Sequence, residues 1–371
     1  MEIGLGVIGG GNFGLYAVQQ FLQVDGVRLV ALAATHREAA LAFARRFGIE
    51  RVLELEQLLD HPQVDMVYIA TPPFLHYPQA LAALEAGKHV FCEKPLALNV
   101  AQADRLISEA HKRNLLVAAN LLQRYNPVAD AIQELIRRRV LGELLHGYFE
   151  NYAADEGLPA EHWFWDRAKS GGIFVEHGVH FFDLLAYWLG SGTVVAAQRS
   201  LRPPLGLEEQ VQCTVRYSGS VLFNFYHGFH QVGKMDRQEL RLVFELGEVT
   251  LFEWIPTRAR VYALLDEART RQLVELFPRA RLDVLQVYSA KDRVCTGRHR
   301  AVDGFQLIEL HAGDGVTKGQ RYCELLRAIF ADQVAWVRDR SHRRRLTEQE
   351  SRDALAMACE ADRLACQSAG G

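Results

Sequence analysis

The sequence predicts an α/β protein in two parts: a doubly wound parallel sheet over the first third, then a second sheet with one covered face. Three observations carry this. The 371 residues exceed one typical domain, and 49% hydrophobic with 23% charged residues can bury a sizeable core. Short apolar strands and helical periods alternate as far as Asn120, a rhythm that implies parallel strands joined by crossover helices. From Thr193 to Tyr262 strand signals dominate, and the alternation in Val211-Gln212-Cys213-Thr214-Val215-Arg216-Tyr217 fits a half-buried strand.

The composition narrows the class of function. A formal charge of −3 offers no basic field for nucleic acid or an anionic membrane surface. No apolar run approaches the roughly 18 residues of a membrane helix. Met1-Glu2-Ile3-Gly4 enters a strand without a basic leader, so no secretory signal is expected. The six cysteines are scattered with no Cys-x-x-Cys pair, which reads as reduced thiols in a cytoplasmic protein.

The first strand, Ile3–Ile8, runs straight into Gly9-Gly10-Gly11-Asn12-Phe13-Gly14, and helical periodicity follows from Leu15. In G-x-G-x-x-G, Gly9 allows the tight turn, Gly11 lets a pyrophosphate approach, and Gly14 lets helix and strand pack closely. Asn12 and Phe13 sit inside the motif, and the helix N-terminus supplies free N–H groups. A dinucleotide is the expected ligand. The second strand, Arg28–Ala33, usually ends in an acid about 20 residues past the last glycine, gripping a ribose 2′-hydroxyl. Ala34 stands there instead. Thr35, His36 and Arg37 follow, offering a hydroxyl, an imidazole and a guanidinium suited to a 2′-phosphate, so NADP(H) is favoured over NAD(H).

Further strands are expected at Asp65–Ala70, Val90–Cys92 and Leu115–Asn120. Their carboxyl ends carry Thr71-Pro72-Pro73 with His76, then Glu93-Lys94-Pro95, then Asn120. In an open parallel sheet those ends face the ligand crevice. A lysine there is either a solvated strand end or a group aimed at a cofactor.

Beyond the crossover, Gly171-Gly172 opens an apolar helix carrying Glu176, His177, His180 and Asp183. Glu176 and His180 are i,i+4 and share a helix face. A buried amphipathic helix, a metal site and acid–base chemistry all fit that pattern. His-Glu-x-x-His is absent, and no metal is expected. Trp163-Phe164-Trp165 precedes the glycines, with aromatic faces that suit sugar rings or simply the core. His227-Gly228-Phe229-His230 ends a strand, and Thr347-Glu348-Gln349-Glu350 is a capping box opening a last helix.

Together these motifs resemble the glucose–fructose oxidoreductase / inositol dehydrogenase / MocA (Gfo/Idh/MocA) family over roughly residues 3–190. The resemblance rests on Val7–Gly14, Ala70-Thr71-Pro72-Pro73 with His76, and Ala86–Pro95. It continues through Arg124 with Pro127, Leu141-Gly142-Glu143-Leu144, and Ser170-Gly171-Gly172 ahead of Glu176-x-x-x-His180-x-x-Asp183. It implies a Rossmann domain, taken as residues 1–123, joined to an α/β domain with a large, mostly antiparallel open sheet, residues 124–371. It also implies a nicotinamide cofactor, sugar or cyclitol substrates, and pairing of open sheets into a homodimer or homotetramer.

On that reading Lys94 and His180 form the acid–base pair, with Glu176, usually Asp in the family, beside them. An ordinary histidine pKa of about 6.5 suits proton transfer near neutrality. Gly9, Gly11, Asn12, Phe13, Gly14, Thr35, His36, Arg37, Thr71, Pro72, His76, Glu93, Lys94 and Asn120 are expected around the cofactor. Arg124, Tyr152, Trp163, Trp165, His177 and His180 are expected around the substrate. Two other functions use the same parts: a redox-neutral glycoside-cleaving or eliminating enzyme with a retained NAD(P), and a non-catalytic NADP(H)-binding regulator.

Overall fold

A computed structural model describes residues 2–35, 37–49, 52–155, 157–297 and 300–368. His36 lies outside them. The chain opens with β1 (Ile3–Ile8), α1 (Asn12–Phe21), β2 (Val27–Ala33), α2 (Arg37–Arg45) and α3 (Leu55–Leu59). It continues with β3 (Met66–Ile69), α4 (His76–Glu85), β4 (His89–Cys92), α5 (Val100–Arg113) and β5 (Val117–Ala119). The five strands are parallel in the order β2-β1-β3-β4-β5. β1 and β3 are buried along their whole length, as a sheet covered on both faces requires. The order reverses between β1 and β3, so a crevice opens at their carboxyl ends. The glycine turn, the Thr71–Pro72 loop and Lys94 all leave the sheet at that edge.

The second sheet begins after α6 (Pro127–Arg137), whose N-cap Asn126 accepts from the Val128 N–H at 3.1 Å. Next come β6 (Leu144–Ala154), the short α7 (Arg167–Ser170), a π turn at Phe174–Gly178 and α8 (Val179–Leu189). Then β7 (Thr193–Arg202), β8 (Leu207–Arg216), β9 (Leu222–Gln231), β10 (Arg237–Phe244), β11 (Gly247–Phe252) and β12 (Arg258–Leu265) follow. α9 (Glu267–Leu276), β13 (Arg281–Val287), the β14 (Val294–Gly297)–β15 (Arg300–Asp303) hairpin and β16 (Gln306–Gly313) complete this part. Nine strands line up as β13-β16-β12-β11-β10-β6-β9-β8-β7. β6 and β9 run parallel, and the other neighbours are antiparallel.

α8 lies on one face of this sheet. Phe181 stacks on Phe149 of β6 with centroids 3.6 Å apart, and Phe182 meets Phe225 of β9 at 4.8 Å. The other face carries Tyr148, Glu150, Tyr152 and Tyr226, with Arg241 over Tyr148 and Arg237 over Tyr152. The central strand β6 was not among the expected ones. Its buried positions are Gly147, Phe149, Asn151 and Ala153, so the period-two apolar signal is missing although burial alternates from His146 onward.

Two long helices close the chain. α10 (Lys318–Arg338) returns to the first sheet, stacking Phe330 on Phe21 of α1 at 4.3 Å. α11 (Glu348–Ser368) starts after Thr347, whose N–H donates to Glu350 at 2.8 Å, as its capping-box sequence predicts. It touches both sheets: Ser351 Oγ accepts from Ala119 N–H at 3.3 Å, and Ser368 Oγ donates to the Ala197 carbonyl at 3.0 Å.

Candidate active site

The glycine turn packs onto the end of β3. A Cβ at Gly9, where φ is +115°, would sit 2.6 Å from the Ala70 carbonyl oxygen, and one at Gly14 would sit 2.6 Å from Ala70 Cβ. A side chain at Gly9 or Gly14 would lift the turn off the sheet. At Gly11, the N-cap of α1, nothing lies within 4 Å of a Cβ position. This open space faces unpaired helix N–H groups, and the cradle fits a dinucleotide pyrophosphate. Asn12 and Phe13 lie at its rim, and the Phe13 ring stacks on Tyr322 of α10 at 6.0 Å.

At the end of β2, Thr35 and Arg37 are exposed. A single parallel bridge pairs Ala33 with Leu53, and this places Glu54 beside Ala34. Glu54 pairs with the Arg37 guanidinium, which also donates to the Val52 carbonyl at 2.9 Å. Glu54 therefore stands beside Ala34, a neighbour that spacing along the chain does not reveal.

The floor of the crevice is a buried polar cluster. Glu93 accepts from Tyr68 Oη at 2.6 Å and from Asn120 Nδ2 at 2.8 Å. Burial raises the Glu93 carboxyl above its ordinary range, and these two donors and Lys94 oppose the rise. Asn120 Oδ1 is buried without a protein partner, leaving an acceptor for a ligand amide. Thr71 Oγ1 donates to Gln79, and Pro72 caps the short 3₁₀ turn that follows. His76 was expected to touch the cofactor. Instead its two ring nitrogens lie 2.7 Å from the carbonyl oxygens of Thr71 and Pro95. The ring bolts the loop after β3 to the loop carrying Lys94.

Lys94 reaches across to the second part of the chain. Its Nζ donates to the Glu176 backbone carbonyl at 2.8 Å and pairs with the Glu176 carboxylate. Glu176 and His177 lie within the π turn; α8 then carries His180. Widened turns of this kind recur at functional sites, and here the wide turn exposes a helix carbonyl to Lys94. His180 is buried, with its Nδ1 unpartnered and its ring 5.4 Å from that of Trp254. Burial, then the charge of Lys94, holds its protonation well below the ordinary histidine range. The near-neutral titration expected of this residue does not survive its surroundings.

His177 sits beside Phe229 and Phe181, with its Nδ1 against His227. Phe164, rather than Trp163 or Trp165, reaches this group, meeting the Phe229 ring edge-on at 5.1 Å. Trp165 is buried, with Arg202 over its ring, and Trp163 packs on His162 and Phe164. Two expected substrate contacts are placed elsewhere. Tyr152 falls on the open sheet face, opposite the α8 face that holds Phe149, because its position on β6 has the other parity. Arg124 is buried and paired with Asp183 through Nε and Nη2, each at 2.8 Å. Trp254 and Tyr322, whose rings are 5.4 Å apart, meet His180 and Phe13 respectively, and neither was among the expected site residues. Among the described residues no cluster of three or more His, Cys, Asp or Glu side chains forms a metal site.

Residues 3–121 match the oxidoreductase family with an NAD-binding Rossmann fold, and residues 130–250 match the GFO/IDH/MocA C-terminal domain. The chain belongs to the Gfo/Idh/MocA oxidoreductase family. Within that family it is 30% identical over 236 residues to 1,5-anhydro-D-fructose reductase of Ensifer adhaerens, covering 60% of this chain and 68% of the relative. It is 27% identical over 187 residues to myo-inositol 2-dehydrogenase of Thermotoga maritima, covering 50% of this chain and 54% of that one. The structure of levoglucosan dehydrogenase with NADH and levoglucosan superposes with a TM-score of 0.77 at 18% identity, covering 99% of this chain and 98% of that chain. At that identity the likeness speaks for the fold.

Proposed function

We propose that the chain is an NADP(H)-preferring dehydrogenase or reductase acting on a hydroxyl or carbonyl carbon of a sugar, cyclitol or related molecule. The observation that carries this is the pairing of Lys94, at the end of β4, with Glu176, with His180 one turn further along the same helical segment and within reach of the Lys94 charge. The names of the relatives support the substrate class. Gly9, Gly11 and Gly14 would hold the pyrophosphate, with Thr71, Pro72 and Asn120 toward the nicotinamide end. Bound nicotinamide supplies the hydride donor or acceptor.

The chain's own residues manage the proton. His180, kept neutral by burial, accepts the substrate hydroxyl proton during oxidation and returns it during reduction. Lys94 spends two N–H groups on Glu176, leaving its third for the substrate oxygen as negative charge develops there. Glu176 fixes the lysine's position. The six cysteines are all free, in keeping with a cytoplasmic enzyme.

Arg37 is the proposed 2′-phosphate contact, with Glu54 as its counterweight. A fluorescence titration with NADPH and NADH tests this. Arg37→Ala should weaken NADPH about tenfold or more and NADH hardly at all, as loss of one charge-assisted hydrogen bond predicts. Glu54→Gln should tighten NADPH. Tighter NADH in the unaltered protein would instead assign the ribose to Glu54. The aromatic and charged open sheet face is proposed to pair two copies in a homodimer or homotetramer. Light scattering that finds a monomer at assay concentration would rule that out.

A further inference from the structure

The proposed chemistry leaves the His177–His227 contact unused. Their Nδ1 atoms lie 3.0 Å apart, with the rings at 78° to each other. Phe149, Phe174 and Phe181 pack around the His227 ring, and Phe229 meets His177 at 5.3 Å. Burial lowers the protonation of both, His177 to about 3 with help from Lys94, and His227 well below its ordinary value with help from His177. Each ring is then neutral and carries one proton, so one Nδ1 donates and the other accepts.

The far side of His227 decides which. Its Nε2 is buried and has no partner. If His177 donated, His227 would carry its proton on that orphaned nitrogen, burying an N–H with no acceptor. Such orphaned donors are rare, and a bare lone pair is the better tolerated alternative. His227 Nδ1–H therefore donates, His177 Nδ1 accepts, and the His177 proton sits on Nε2. That nitrogen lies on the ring edge turned away from His227, and His177 itself is half-buried, not sealed.

We propose that His227 is a positioning residue that locks His177 in its Nε2–H tautomer, so that His177 presents a hydrogen-bond donor to a substrate oxygen. The role assigned to His177 rests on the oxidoreductase reading above; the tautomer does not. With the free N–H of Lys94, the site then offers two donors to one substrate. That selects a molecule with two neighbouring oxygens, such as a vicinal diol or a hydroxy ether.

Long-range ¹H–¹⁵N spectra of histidine-labelled full-length protein, without substrate, test this, with His177→Gln and His227→Asn assigning the two rings. The unaltered protein should show His177 with a bare Nδ1 and a protonated Nε2, and His227 with the reverse. His227→Asn, whose amide can still donate, should preserve the His177 pattern. His227→Leu should release it to a mixture and raise KM about tenfold with kcat and cofactor affinity unchanged, as loss of one oriented hydrogen bond predicts. A protonated His177 Nδ1 in the unaltered protein, or an unchanged His177 pattern in His227→Leu, overturns the proposal. If His227→Leu does not fold, the spectrum of the unaltered protein still decides the tautomer. Absence of any turnover would count against the oxidoreductase reading and leave the spectrum as it is.

Discussion

His180→Ala and Lys94→Ala are each expected to lower kcat by about 10³-fold, the range of a lost general acid–base group, with cofactor affinity kept. His180 is the side chain placed to move the proton, and Lys94 the donor placed at the developing alkoxide. Neither lies in the glycine cradle, so NADPH titration should be nearly unchanged in both variants. The pH dependence sharpens the test. Burial together with the Lys94 charge disfavours the imidazolium, so the base stays neutral far into acid. Oxidation should therefore show no loss of kcat/KM near the ordinary histidine pKa of about 6.5. Reduction needs the protonated ring, and its rate should climb as pH falls. An oxidation profile that breaks near pH 6.5 would show that burial does not hold the ring neutral, and near-normal turnover in both alanine variants would remove His180 from this role.

The parallel sheet was legible because its strands are largely apolar and buried and each is followed by a turn or helix signal. The site was legible only in pieces. Glu176 and Lys94 lie 82 positions apart, and no spacing rule pairs them; the family resemblance brought them together. Where one strand of local context sufficed, as for Gly9 to Gly14, residue chemistry alone pointed to the ligand. Where a distant contact decided, the sequence was silent: Glu54 comes beside Ala34 through one bridge, and Tyr152 faces away because of its parity on a strand with no apolar period. His76 has the chemistry of a ligand contact but is consumed by two backbone carbonyls. Trp254 and Tyr322 come from the end of β11 and from α10, whose sequences carry no signal that they meet His180 and Phe13.

Arg124→Leu is expected to destabilise the fold by about 3–5 kcal/mol, the usual cost of leaving one member of a buried ion pair alone. Asp183 is fully buried and its carboxylate is engaged by the Arg124 guanidinium. Burial raises the Asp183 carboxyl to about 6, with Arg124 only partly opposing it, so the carboxylate is costly even when paired. Without the arginine it must stay charged and unpaired or take up a proton. A group whose folded pKa lies above its unfolded value loses stability as pH rises through the interval between them. Loss of Arg124 pushes the Asp183 carboxyl higher still, so the deficit of Arg124→Leu should be largest above neutrality and shrink as pH falls toward about 6, where the carboxyl is protonated with or without the arginine. The double variant Arg124→Leu/Asp183→Leu removes both charges and should recover most of the loss, since an apolar pair avoids the desolvation. Urea unfolding of the four proteins measures the coupling directly. If Arg124 held substrate instead, its loss would raise KM with little change in the urea midpoint, and the double variant would restore nothing.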